Sequence, residues 1–129
     1  MEQQGKTIEN LEDELSRIKQ EIEKRKNDIV SRELSSEEKE KIILDALQNH
    51  TKENLQENLS NNYKLSSEQV KKYSIDLEPE EDDRKIEELF KIAIEKGVIN
   101  AVHICENLKN PHLLDDLHRR LAHYFNFEN

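Results

Sequence analysis

A heptad stripe near the start of the chain constrains its fold most. Ile8, Leu11, Leu15, Ile18, Ile22 and, after a break, Ile29 follow one another in alternating steps of three and four. That spacing predicts a helix burying one narrow seam against another helix. With Ile8 at position a, the g positions are Glu14, Glu21 and Asp28, and the e positions after Glu12 are Lys19 and Lys26. In a parallel two-stranded coil a g residue faces the e residue of the partner's next heptad, which pairs Glu14 with Lys19 and Glu21 with Lys26. An antiparallel homodimer would set Glu against Glu and Lys against Lys. The charges therefore favour parallel self-association, with the seam Ile8, Leu11, Leu15, Ile18, Ile22 and Ile29 as the interface. Arg25 occupies a d position and ends the uninterrupted seam after about three heptads, a marginal length for an isolated coil. The same stripe also suits packing within the chain, against Ile42–Leu47.

Gly and Pro number two each, which leaves few turn signals and favours long helices over sheets. Charged residues, at 38%, outnumber apolar ones at 33%, so the core must be assembled from narrow helical stripes. The expected fold is all-α: a long N-terminal coiled-coil-like helix (1–33), an acidic helical linker region (34–77) and a C-terminal three-helix bundle (78–129).

Local signals place the elements. The first helix is expected over residues 6–33. Ser35 with Glu38 forms a capping box that opens a second helix carrying Ile42, Ile43, Leu44, Ala46 and Leu47, expected to end near Asn49 or His50. Leu55 and Leu59 suit a short helix, and Ser60-Asn61-Asn62 reads as a loop. Ser66 with Gln69 repeats the capping pattern and puts Val70 and Tyr73 on an inner face. Pro79 is expected in the first turn of the next helix, among acids that complement the helix dipole. That helix presents Ile86, Leu89, Phe90, Ala93 and Ile94 and stops at Gly97. Val98, Ala101, Val102, Cys105 and Leu108 mark its successor. Asn110-Pro111 opens the last helix, with Leu113, Leu114, Leu117, Leu121, Tyr124 and Phe125 in line.

Charge and composition narrow the function. The net charge is −9, whereas a phosphate-binding surface requires surplus Lys and Arg, so no nucleic-acid partner is expected. The acidity is concentrated in residues 34–83, with 13 acidic and 6 basic groups. Its peak, Glu78 to Asp83, suits a solvated helix start better than a basic partner. Cys105 is the lone cysteine, so an internal disulfide is impossible. No apolar run reaches membrane-spanning length, and a cytoplasmic protein is expected. Gly5 and Gly97 stand far apart, which excludes a glycine-rich phosphate loop.

Metal and nucleophile chemistry have few anchors. His103, Cys105, His112, His118 and His123 fall in the last third, but only Asp115 and His118 have a spacing that shares a helix face. A metal-dependent reading would use His112, Asp115 and His118. Cys105 lies on an apolar stripe and reads as a small hydrophobe rather than a nucleophile. Asp115–Arg119 and Asp116–Arg120 have the spacing of helical ion pairs. No catalytic residue, cofactor or metal ligand is expected.

The run Lys85-Ile86-Glu87-Glu88-Leu89, Glu95-Lys96-Gly97-Val98, Asn110-Pro111-His112-Leu113 and Asp115-Asp116-Leu117-His118-Arg119 resembles a segment of large bacterial proteins from candidate phyla. Some of those are similar to conjugative or type IV secretion ATPases. The resemblance spans about residues 65–125 and implies a helical module flanking other machinery. This chain has no ATPase body, phosphate loop or membrane span, and no functional residue carries over. The expected function is a non-enzymatic helical protein–protein interaction module with an oligomerising N-terminal helix. The alternatives are an accessory segment of a secretion-type ATPase system and a small metal-binding regulator.

Overall fold

The computed structural model describes residues 7–29, 33–55 and 59–128, with side chains placed up to Asn126. Six helices occupy these stretches: α1 (Leu11–Asn27), α2 (Ser36–Asn54), α3 (Ser67–Leu77), α4 (Asp82–Lys96), α5 (Val98–Asn107) and α6 (Pro111–Glu128). The all-α class follows the stripe pattern of the sequence.

The helix starts obey local chemistry. Ser35 accepts a hydrogen bond from Glu38 N while the Glu38 carboxylate accepts from Ser35 N, and Ser66 and Gln69 repeat the arrangement on α3. Both capping boxes satisfy donors that a helix N-terminus otherwise leaves unpaired. Asn110 Oδ1 accepts from His112 N at 3.1 Å at the start of α6.

Four boundaries differ from expectation. The first helix starts at Leu11, because Asn10 caps it by accepting from Asp13 N at 2.7 Å. Ile8 therefore precedes the helix, in an extended strap whose carbonyl accepts from Ser60 N at 2.8 Å beside an isolated parallel bridge to Leu59. The expected helix end at Glu33 gives way to Asn27, and the expected start at Lys6 lies outside the described residues. The second helix continues to Asn54, since His50, Thr51 and Asn54 are buried and hydrogen-bonded there. Pro79 lies in the turn after α3, where Glu80 N bonds Leu77 O, and α4 opens at Asp82.

One core draws on every helix. Ile18 and Ile22 from α1 meet Ile43, Ala46 and Leu47 from α2, and the cluster continues through Leu77, Leu89, Ala101, Leu117 and Phe125. The pairings α2 with α6 and α4 with α5 are the most extensive; α1 lies on α2 and α3 lies on α5. Buried residues from all six described helices thus share a common interior. The last three helices pack on one another, but α6 also forms the floor for α2. A smaller cluster of Ile8, Leu59 and Ile99, flanked by Leu55 and Tyr63, closes the strap over the start of α5.

This packing changes the reading of the seam. Ile8, Ile18 and Ile22 are buried within their own chain, Leu11 and Leu15 are half-buried, and Ile29 is 39% exposed. The inward stripe of α1 is Glu14, Ile18 and Ile22, at steps of four. Burial of Ile18 and Ile22 against α2, and of Ile8 in the strap, takes three of the six expected seam residues into the chain's own interior, and a face in the core is not available to an interface.

Candidate functional site

Glu14 is the least expected residue of the interior, being fully buried on α1. Its Oε2 accepts from His50 Nε2 of α2 at 2.8 Å and from the backbone N–H of Ile99 in α5 at 3.0 Å. Its Oε1 accepts from the Tyr63 hydroxyl at 2.5 Å. Three donors from three parts of the chain thus converge on one carboxylate, the arrangement that makes a buried acid tolerable.

Each donor is fixed by its neighbours. Asn54 Nδ2 donates to the His50 carbonyl at 2.8 Å and faces His50 Nδ1 at 3.3 Å. With Nε2 donating to Glu14 and Nδ1 accepting from Asn54, this bonding assigns the Nε2–H tautomer to His50. Tyr63 sits in the turn after Ser60, where Asn100 holds the backbone: Asn100 Nδ2 donates to Tyr63 O and Lys96 O, and its Oδ1 accepts from Leu65 N. Burial, and then the adjacent Glu14 carboxylate, push the Tyr63 phenol well above its ordinary range, so it stays a donor.

Gly97 makes the convergence possible. It ends α4 and begins α5 at φ +115°, a conformation that L side chains rarely adopt. A Cβ here would overlap the Tyr63 hydroxyl and lie 2.7 Å from Glu14 Oε1. Gly97 also has no side chain to cap α5, and Glu14 supplies that missing function from α1.

A second buried polar contact lies beside the first. Thr51 Oγ1 and His118 Nε2 are 2.9 Å apart between α2 and α6. Burial lowers the His118 pKa, His50 adds to that, and Asp115 opposes it.

The anticipated site residues are distributed otherwise. Glu14 is enclosed and offers no carboxylate to Lys19 of another chain. Glu21 pairs with Arg25 at 2.7 Å on its own helix, and Lys26 approaches Glu23 at 4.0 Å. Leu15 and Lys19 border a shallow groove on the outward side of α1. The expected Asp116–Arg120 pair is replaced, because Arg120 reaches across to Glu87 at 3.1 Å and stacks 3.8 Å above the Phe90 ring. Arg119 pairs with Asp116 rather than Asp115. Asp115 and His112 are exposed while His118 is buried. No three His, Cys, Asp or Glu side chains converge in a metal-binding arrangement among the described residues. Cys105 lies in the core, and burial pushes its thiol up to about 12.

Sequence reasoning passed over His50, Asn54, Tyr63 and Asn100. Two signals were available: Glu14 stands four residues before Ile18 and eight before Ile22, and His50 and Asn54 prolong the Ile43–Leu47 stripe at helical steps. No helix among the described residues is long and apolar enough to cross a membrane. No family model, curated protein or solved structure matches this chain.

Proposed function

We propose that the chain is a non-enzymatic helical module that binds another protein, with its contact surface on α3 and the α3–α4 corner. The observation that carries this reading is Ile75, a large apolar side chain left 64% exposed. Asp76, Glu78, Glu80, Glu81 and Asp83 follow it closely in the chain, all exposed and without an ion pair among the described residues. A single exposed isoleucine is ordinary. One set next to unneutralised acids gives a partner both an anchor and an orienting charge. The fitting partner is a basic segment with an apolar side chain. Two lysines, Lys71 and Lys72, lie on the other side of Ile75 and set the direction of approach. The groups that resemble acid–base machinery, Glu14, His50 and Tyr63, are committed to joining α1, α2 and α5, which supports a non-catalytic reading. The interior use of Ile18 and Ile22 moves the proposed interface off the α1 seam.

A photoreactive residue at position 75 tests this, with exposed Lys91 on α4 as the control position. In extracts of the source cells we expect a discrete heterologous adduct at 75 that weakens as salt is raised. No adduct, or the same adduct at both positions, would overturn the reading.

A further inference from the structure

We infer that two copies of this chain pair by exchanging their N-terminal units: α1 and α2 straighten into one helix, and the strap and α1 of each copy take, on the other, the place they fill here on their own chain. Exchange of an identical element keeps the contacts of the closed fold, which makes it a low-cost route to a dimer. Glu14 of one copy then accepts from His50, Tyr63 and the Ile99 N–H of the second, and neither cluster is complete without the other chain. The exchange involves neither α3 nor the α3–α4 corner, so it stands apart from the contact surface proposed above.

The relative phase of two stripes points to this. Ile18 and Ile43 are 25 residues apart, as are Ile22 and Leu47, which is close to seven full turns of an α-helix. One continuous helix therefore carries the inward residues of α1 and α2 on a single face, as it must to pack against a second copy of itself. A hairpin requires no such phase between its arms. Ile29 falls on the same face, seven residues after Ile22, yet it is 39% exposed in the closed fold.

The connection and its charges allow the change. Residues 28–35 contain neither Gly nor Pro. Asp28 ends α1 in the right-handed region, and no described residue of the connection has the left-handed conformation that commonly terminates a helix. Straightening gives up the Ser35–Glu38 capping box and gains burial of Ile29 in each copy. In the closed fold α1 and α2 run antiparallel, with Glu14 opposite His50. Carried on in that register, Arg25 comes opposite Glu40 of the second copy, an attractive pair that the two-fold symmetry repeats. In the closed fold Arg25 pairs with Glu21 of its own helix and Glu40 faces His123. The seam thus sets α1 against α2 of the second copy, not α1 against α1.

Light scattering on the full chain, up to about 1 mM, gives the first test. A dimer mass is expected, and a monomer mass at every concentration would overturn the inference. Chain mixing then reads the exchange itself. On a Cys105→Ala background one chain carries Ile8→Cys and the other Leu59→Cys, the two positions of the isolated parallel bridge, and the two are unfolded and refolded together. An exchanged strap brings these thiols together across chains, so an interchain disulfide should form. A dimer without that disulfide would overturn the exchange. Should either cysteine variant fail to fold, Ile29→Glu and Glu33→Pro decide, both at exposed positions of the closed fold. Proline inside the continuous helix should weaken dimerisation about a hundredfold or more. A charge in place of buried Ile29 should weaken it about tenfold or more. Dimerisation left unchanged by either variant would overturn the inference.

Discussion

Glu14 and Ile99 lie 85 residues apart, and the carboxylate of the first caps the helix that begins beside the second, at 3.0 Å. A cap is ordinarily supplied by the residue just before the helix. Here that residue is Gly97, which has no side chain and whose missing Cβ leaves space for both Glu14 and Tyr63. Negative charge at a helix N-terminus is favoured by the helix dipole. The local deficiency of α5 and the placement of an acid in the interior are therefore one arrangement, which also ties α1 to the rest of the molecule.

Glu14→Ala should be among the most damaging single substitutions in the chain. It leaves His50 Nε2, the Tyr63 hydroxyl and Ile99 N–H without their acceptor in the interior. Each buried donor left unsatisfied costs about 1–3 kcal/mol. Urea denaturation should show that loss as a lower midpoint with a similar slope. A change below about 1 kcal/mol would mean that water replaces the carboxylate at little cost.

Gly97→Ala should destabilise through two separate effects. The φ of +115° strains any L side chain, and the added methyl collides with the Tyr63 hydroxyl. A non-glycine residue in such a conformation costs about 1–3 kcal/mol before the collision is counted. We expect a fall in Tm larger than that for Ala at exposed Lys91, together with altered fluorescence from Tyr63.

His118 should make stability depend on pH. Burial holds its folded pKa below the ordinary value, so the unfolded chain binds a proton more readily than the folded one. The associated stability is present above about pH 6.5, the unfolded histidine value, and is lost as the pH falls towards the folded pKa. His118→Gln, which keeps a polar contact for Thr51 but does not titrate, should flatten the urea midpoint against pH in that range. An unaltered slope would assign the acid response to other groups.

Much of this architecture was legible from the sequence. Ser35–Glu38 and Ser66–Gln69 form the capping boxes that their spacing predicts, and Gly97 and Asn110-Pro111 punctuate the last three helices as expected. These are local rules, satisfied within four residues. The buried cluster was hidden because its members come from four separate stretches, each unremarkable alone. Glu14 suited an exposed heptad flank as well as an interior stripe, and only the helix it packs against decides between them. His50 and Asn54 are polar, so periodicity did not count them as core. The same ambiguity governs the seam, since spacing of three and four describes a helix seeking a partner without saying whether that partner belongs to another chain.

Deletion of residues 1–33 separates these two uses of the N-terminal helix. A freestanding stalk could be removed and leave the remaining helices folded, with only the oligomeric state changed. In this fold, deletion takes Ile18 and Ile22 from the core and Ile8 from the cluster over α5. Full burial of an isoleucine contributes about 1.5–3 kcal/mol. It also removes Glu14, leaving the three donors described above without an acceptor. Against a total stability of about 5–15 kcal/mol for a domain of this kind, those losses are large enough to abolish cooperative folding. We expect the shortened chain to lose its near-ultraviolet circular dichroism and its sharp thermal transition. A truncated chain that melts as cooperatively as the full one would instead show that α2 to α6 fold without α1.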